Sequence, residues 1–207
     1  MVSSQHPIYP TMKRVAITGG IGSGKSTVCR MLAEVGGVEV YDSDTRAKEI
    51  MNSHPEVVAA VKALFGPEAY ADGTLNRAHV AAVAFGNEDL LGRLNAIVHP
   101  AVVADFEAWA ESRVGEYVVL ESALLFTSPL VGHYDLAVVV DAPDEVRVAR
   151  CVARDGSTAE QVRGRMARQM SRSEMRQRAD VVICNDGTEP LLPQVKKVDA
   201  IIRKQTK

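Results

Sequence analysis

The chain predicts an α/β fold with a parallel sheet covered by helices on both faces, and three observations carry that prediction. Val15 to Thr18 form a strand-like run that enters the glycine-rich stretch Gly19-Gly-Ile-Gly-Ser-Gly24, and a helix-forming segment opens at Lys25. Tyr117–Leu120 and Leu136–Val140 are short, nearly continuous apolar runs, the form taken by strands buried on both faces. Helix-period segments separate these runs, and strands that alternate with helices pair in parallel.

In order, the first helix spans roughly Lys25 to Val35 and stops at Gly36-Gly37, where a left-handed C-terminal residue is easily formed. Val38 to Tyr41 is a short second strand, with Asp42-Ser-Asp44 at its carboxyl end where another helix begins. From Ala47 to about Ser112 the pattern is mostly helical, punctuated by His54-Pro55, Gly66-Pro67, Asp72-Gly73 and His99-Pro100. Val102, Val103, Phe106 and Trp109 recur at helical spacing and are expected in the core. Asp180 to Cys184 is a weaker final strand before a C-terminal helix. Residues 1–11 hold Ser, Gln, His and two prolines without an apolar stretch, so they read as a loose tail, with Met12 as an alternative start.

The whole chain has 207 residues, 46% of them apolar and 24% charged, which suits a single domain with one sizeable core. A formal net charge of −2 argues against nucleic acid as the main partner. Cys29, Cys151 and Cys184 lack metal-ligand spacing, and an odd count suggests reduced thiols in a cytoplasm. No apolar run approaches the length of a membrane span, so no membrane partner is expected.

Function enters through the glycine-rich turn. Gly19, Gly24, Lys25 and Ser26 satisfy the pattern G-x-x-x-x-G-K-[ST], with a strand before it and a helix after it. Such a turn directs consecutive backbone N–H groups inward around a polyphosphate, and the helix N-terminus adds unpaired donors and partial positive charge. The candidate nucleotide-binding residues are therefore Gly20, Ile21, Gly22, Ser23, Gly24, Lys25, Ser26 and Thr27. Lys25 would reach the β- and γ-phosphates, and the Ser26 hydroxyl would ligate Mg²⁺. The fold is thus narrowed to the P-loop NTPase type.

Ligands of such sheets lie beyond the carboxyl ends of the strands, which puts Thr18, the loop, Asp44, Glu121 and Asp141 on one rim. Asp42 suits a helix cap, which leaves Asp44 as a general base for an acceptor hydroxyl or a partner of the metal. Glu121 is either an acid holding Mg²⁺ through water or an ordinary strand-end carboxylate. Asp141, ahead of Ala142-Pro143-Asp144, is expected to cap a helix and is given no chemistry.

Between Arg147 and Arg178 there are nine arginines and no lysine. Ser157-x-x-Glu160 and Ser171-x-x-Glu174 read as capping boxes that divide this region into short helices, the build of a mobile lid. Arg172 and Arg150 are the expected phosphate contacts, since the guanidinium fork grips phosphate oxygens in pairs; the others read as a solvated face.

Taken together, Thr18-Gly-Gly-Ile-Gly-Ser-Gly-Lys-Ser-Thr27, Asp42-Ser-Asp44, Asp72-Gly-Thr-Leu-Asn-Arg77, His99-Pro100, Leu124-Leu-Phe126, Arg172 and Asn185-Asp-Gly187 resemble the dephospho-coenzyme A kinase family, from about Lys13 to the C-terminal helix. The resemblance implies ATP-dependent phosphorylation of the ribose 3′-hydroxyl of dephospho-coenzyme A, with Mg²⁺. It also implies a core of residues 12–46, 115–150 and 179–207, a helical acceptor-binding insertion at about 47–114, and a lid at about 151–178. By the same resemblance, Lys25, Asp44 and Arg172 are the catalytic residues, Asp44, Arg77 and His99 face the acceptor, and Asn185 lies at the adenine of ATP. Ala123 and Thr127 depart from the family's pattern, which often has Pro before the two leucines and an acid after Phe. The alternatives are another P-loop nucleotide or small-molecule kinase, and a nucleotide-dependent switch protein, although no Asn-Lys-x-Asp guanine-reading motif is present.

Overall fold

A computed structural model describes residues 12–204. The stretch expected to be a loose tail, residues 1–11, lies outside the described residues. Five strands, β1 (Lys13–Thr18), β2 (Val40–Asp42), β5 (Tyr117–Glu121), β6 (Leu136–Asp141) and β7 (Val181–Cys184), form a parallel sheet in the order β2-β5-β1-β6-β7. A two-stranded antiparallel hairpin, β3 (Tyr70–Ala71) and β4 (Thr74–Leu75), stands apart from it.

The period-2 alternation of the strands divides two cores. Val15 and Ile17 of β1, Tyr117 and Val119 of β5, and Leu136, Val138 and Val140 of β6 face one side. There they meet Val28 and Leu32 of α1 (Lys25–Gly36) and Val195, Val198 and Ile202 of α9 (Leu191–Lys204). The residues between them, Ala16, Val118, Leu120 and Ala137, face the opposite side. That face is covered by α2 (Ser43–Ser53), α3 (Pro55–Phe65) and α5 (Glu88–Glu111). All six residues of β6 are buried, which explains why its sequence shows no alternation of polar and apolar residues.

Residues 43–111, between β2 and β5, are four α-helices, a single 3₁₀ turn at Pro67–Ala69 and the hairpin, with α4 (Arg77–Ala84) preceding α5. The hairpin turns at Asp72 and Gly73, with φ of 50° and 77°. Asp-Gly tolerates two consecutive left-handed residues, which is what a two-residue hairpin turn requires. The sequence reading treated this dipeptide as punctuation in a helical region and missed the strands around it.

His99-Pro100 neither ends nor divides its helix, because α5 runs through both residues. Pro100 removes one backbone donor, but Val98, Val102, Phe106 and Ala110, spaced four apart, are all buried along one stripe and hold the helix to the core. Phe106 is completely buried, 5.1 Å from the Tyr41 ring, and Trp109 packs 5.3 Å from Tyr41.

Asp42 is the N-cap of α2 as expected, accepting from Asp44 N and Thr45 N. The Ser171/Glu174 capping box opens α8 (Arg172–Arg178). The box at α7 (Ala159–Met166), however, is Thr158/Gln161, one residue later than expected, because Ser157 Oγ accepts from Arg165 instead. Asp141 is not a cap either: α6 (Asp144–Asp155) starts from Pro143 with no side-chain cap, while Asp141 lies buried at the end of β6.

Replacing Phe106 with Ala should destabilise the chain by about 3–5 kcal/mol, read as a fall in the urea midpoint. A loss below about 1 kcal/mol would show that the α5 stripe is not the anchor of this face.

Candidate active site

Parallel register brings the rim together. Asp42 lies beside Glu121 across β2 and β5, Glu121 beside Ile17 across β5 and β1, and Asp141 beside Cys184 across β6 and β7. The glycine-rich loop leaves β1 at the middle of this row. Gly22 and Gly24 adopt φ of 77° and 99°, and a Cβ at Gly20 would come within 2.0 Å of the Arg147 guanidinium. The glycines are needed both for left-handed backbone and for the close approach of Arg147.

Lys25 folds back over this loop, donating from Nζ to the Gly19 carbonyl at 2.9 Å. Burial lowers its pKa, while Glu121 and Asp44 nearby act in the opposite direction. Ser26, at the solvent-exposed start of α1, donates from Oγ to Glu121 Oε1 at 2.7 Å. Both are hard oxygen ligands of the kind Mg²⁺ takes alongside nucleotide phosphates, so the donor set fits that ion. The Cys29 thiol, one turn further along α1, has its pKa pushed up by burial and by the Glu121 carboxylate.

Asp42 is occupied by its cap, holding Asp44 N at 3.0 Å and Thr45 Oγ1 at 2.7 Å. Asp44 is left with a solvent-exposed carboxylate. Its pKa is raised, first by desolvation and then by the Asp42 carboxylate, and Lys25 and Lys48 pull against that. Asp44 and His99 line one small cavity of about 60 Å³ with Ser43, Ser122, Leu124 and Leu130. Burial lowers the His99 pKa, so its imidazole favours the neutral form. Arg77 does not join this cavity; it is exposed at the first residue of α4.

The arginine-rich segment is more tightly held than a solvated face. Arg147, expected at the surface, is 6% exposed. Its Nε donates to the Ile21 carbonyl at 2.9 Å and its NH1 to Asp144 at 3.0 Å. Gln169, in the turn between α7 and α8, accepts from Ile21 N at 2.9 Å. Arg172 donates from Nε and NH2 to the two oxygens of Asp141 at 2.6 and 2.9 Å, and Arg176 donates to the same carboxylate. Burial opposes the charge on Asp141, but hydrogen bonds from Arg172 and Arg176 outweigh it and hold the carboxyl below its ordinary range. Asp141 therefore has a defined role, as the anchor of two arginines. Arg150 donates to Asn185 Oδ1 at 3.2 Å, and Asn185 Nδ2 donates to the Ser23 carbonyl at 2.7 Å, tying the loop to the segment after β7.

The structure thus gathers Lys25, Ser26, Asp44, Glu121, Arg172 and Asn185 around one rim and leaves Arg77 outside. Sequence reasoning missed Arg147, Gln169 and Arg176 as partners of this rim. The local pattern of an arginine-rich helix looks the same whether its residues face water or a loop more than a hundred positions earlier. Asp141 did carry a signal, a strand-end carboxylate in line with Glu121, and its following proline diverted the reading to a cap.

Comparison with known proteins gives a consistent answer. A family model described as dephospho-CoA kinase matches residues 13–190. The dephospho-CoA kinase of Porphyromonas gingivalis is 40% identical over 193 residues, covering 93% of this chain and 95% of that one. The enzyme of that name from Salinibacter ruber is 45% identical over 181 residues, 86% of this chain and 90% of its own. A crystal structure of a Thermus thermophilus protein superposes with a TM-score of 0.80 at 34% identity, over 95% of this chain and 99% of that one. A match of this extent, on a chain whose loop, rim acids and arginines occupy the arrangement described above, means that the chain belongs to the dephospho-CoA kinase family.

Proposed function

We propose that the chain transfers the γ-phosphoryl group of ATP to the ribose 3′-hydroxyl of dephospho-coenzyme A, giving coenzyme A and ADP. The observation that carries the site assignment is Asp44. It is the second residue of α2, electrostatically coupled to Lys25 of the loop, and opens on the cavity shared with His99. A carboxylate with a raised pKa beside a phosphate-binding lysine is suited to accept or orient an acceptor's proton while the phosphoryl group moves.

Each group then has a task. The loop amides not already bonded within the chain, which excludes that of Ile21, hold the β- and γ-phosphates with Lys25, and Asn185, bonded to Arg150, borders the adenine. Ser26 and Glu121 hold Mg²⁺, which when bound supplies charge neutralisation at the phosphate oxygens. His99 faces the acceptor at that cavity, and Arg77, exposed outside it at the start of α4, is left to a more distant part of the acceptor. The helical segment at about 47–114 receives it, and the segment at about 151–178 is the lid that carries Arg172. Bidentate pairing uses the Nε–H of Arg172 and one N–H of its NH2, which leaves three donors for a phosphate. The cavity of about 60 Å³ holds only a part of the acceptor, and the rest lies along the open surface beside it. Among the described residues no helix is long and apolar enough to cross a membrane. With its cysteines free, a cytoplasmic setting suits the chain.

A coupled ADP assay with Mg²⁺, run separately with dephospho-coenzyme A, AMP, shikimate and adenosine, should respond to dephospho-coenzyme A alone. Turnover with one of the others instead would make this another P-loop kinase. In that assay Asp44→Asn should lower kcat by at least about a hundredfold while ATP binding stays near wild type; normal turnover would remove Asp44 from the reaction.

The Asp141 anchor gives a pH prediction. Its folded pKa lies below the unfolded value of about 3.9, so its stabilisation is full above that value and is lost as pH falls through the folded value. Asp141→Asn should therefore cost about 1–3 kcal/mol near neutrality. The difference from wild type should narrow in acid-denaturation curves taken below pH about 4. A constant difference across that range would show that the charge of Asp141 is not what holds the arginines.

A further inference from the structure

Phosphoryl transfer as described leaves one group of contacts without a task, the set that surrounds Ile21 at the crest of the loop. Both backbone polar groups of Ile21 are taken by side chains: its N–H donates to Gln169 Oε1 at 2.9 Å, and its carbonyl accepts from Arg147 Nε at 2.9 Å. Arg147 NH2 reaches the same Gln169 oxygen at 3.5 Å. The Ile21 side chain packs on Val148, Cys151 and Val162, with Ala159 and Met166 beside them. The crest is therefore fixed in backbone and side chain by α6, by α7 and by the turn at 167–171. That turn delivers Arg172 three residues after Gln169.

A backbone N–H carries a single hydrogen, and here it is directed at Gln169 with ordinary hydrogen-bond length. The Ile21 amide thus serves the lid side of the loop and Ser23 N–H closes a turn on the Gly20 carbonyl at 3.1 Å, while the Lys25 and Ser26 amides at the start of α1 remain for phosphate. The two groups that meet Gln169 Oε1 are both N–H donors, so the position requires an acceptor oxygen. A neutral amide supplies one without placing negative charge beside a loop built to attract an anion.

We propose that Gln169 is a positioning residue whose side-chain oxygen ties the crest of the phosphate loop to the turn that carries Arg172, so that loop and lid are in register before nucleotide binds. The proposal rests on the kinase reading for its consequence in turnover, but the tie itself can be tested without activity.

The experiment compares wild type, Gln169→Leu and Gln169→Glu by hydrogen exchange at the Ile21 amide, observed by NMR, alongside steady-state kinetics and thermal unfolding. Gln169→Leu removes the acceptor and should speed Ile21 exchange about tenfold. It should also lower kcat about tenfold with a smaller change in the ATP KM, with a modest fall in the thermal midpoint from the donors left without that oxygen. Gln169→Glu keeps an acceptor oxygen, so it should restore slow exchange at Ile21 while raising the ATP KM through its charge. A merely structural side chain would not give that split. Unchanged Ile21 exchange in Gln169→Leu would overturn the proposal. So would a Gln169→Leu variant that binds ATP more tightly and turns over as wild type, since Gln169 would then compete with phosphate instead of registering the lid. Wild-type protein that makes no coenzyme A would overturn the kinase reading, and the exchange comparison would still decide the tie.

Discussion

The structure depends on a close approach that only glycine permits. The loop after β1 lies against the guanidinium of Arg147, with no room for a Cβ at Gly20 and backbone atoms of Arg147 itself against Gly22. Removing a buried guanidinium from water is costly unless its donors are matched. Here they are met by the Ile21 carbonyl, Asp144 and Gln169. The same contact therefore shapes the loop and satisfies a buried charge, which fixes where α6 must begin. From α6 follow α7, the turn at Gln169 and the placement of α8 over the rim.

Register supplies the second constraint. In a parallel sheet the strand ends are aligned by the hydrogen-bond ladder, so Asp42, Glu121 and Asp141 reach the rim as a row of carboxylates. Three like charges would repel one another in isolation, and each is offset differently. Asp42 is bound by two backbone N–H groups and a hydroxyl, Glu121 by Ser26, and Asp141 by two arginines. Asp44 is outside these arrangements, with a pKa raised by desolvation and by Asp42. A carboxylate left free among neighbours that are engaged is the one proposed above for proton chemistry.

How much of this could be read from the chain follows from the range of each interaction. The sheet was legible because Val15–Thr18, Tyr117–Leu120 and Leu136–Val140 bury both faces and so announce themselves as apolar runs. The loop was legible because a phosphate cradle needs glycine and lysine at fixed local spacing. The hairpin at residues 70–75 was not, since two-residue strands are too short to show a period. The continuation of α5 through Pro100 was missed because the local rule against proline is outweighed by four buried contacts at four-residue spacing. The pairing of Arg147 and Gln169 with Ile21 joins residues 126 and 148 positions apart, and no local pattern encodes it.

The groups proposed for phosphate already have partners inside the chain. Lys25 donates to the Gly19 carbonyl, Ser26 to Glu121 and Arg172 to Asp141. For Lys25 and Ser26, binding a nucleotide is then an exchange of hydrogen bonds, and the net gain per bond is about 0.5–1.5 kcal/mol, far below its strength in isolation, while Arg172 keeps its pair with Asp141. Such an exchange leaves no buried charge unmatched at either end, and the retained pair keeps Arg172 ordered. Affinity is set by how much better a polyphosphate satisfies Lys25 than a single carbonyl does, and by the three donors that Arg172 still offers while it holds Asp141. The difference is largest where charge accumulates on the transferring phosphoryl group, which is where catalysis gains most from fixed donors.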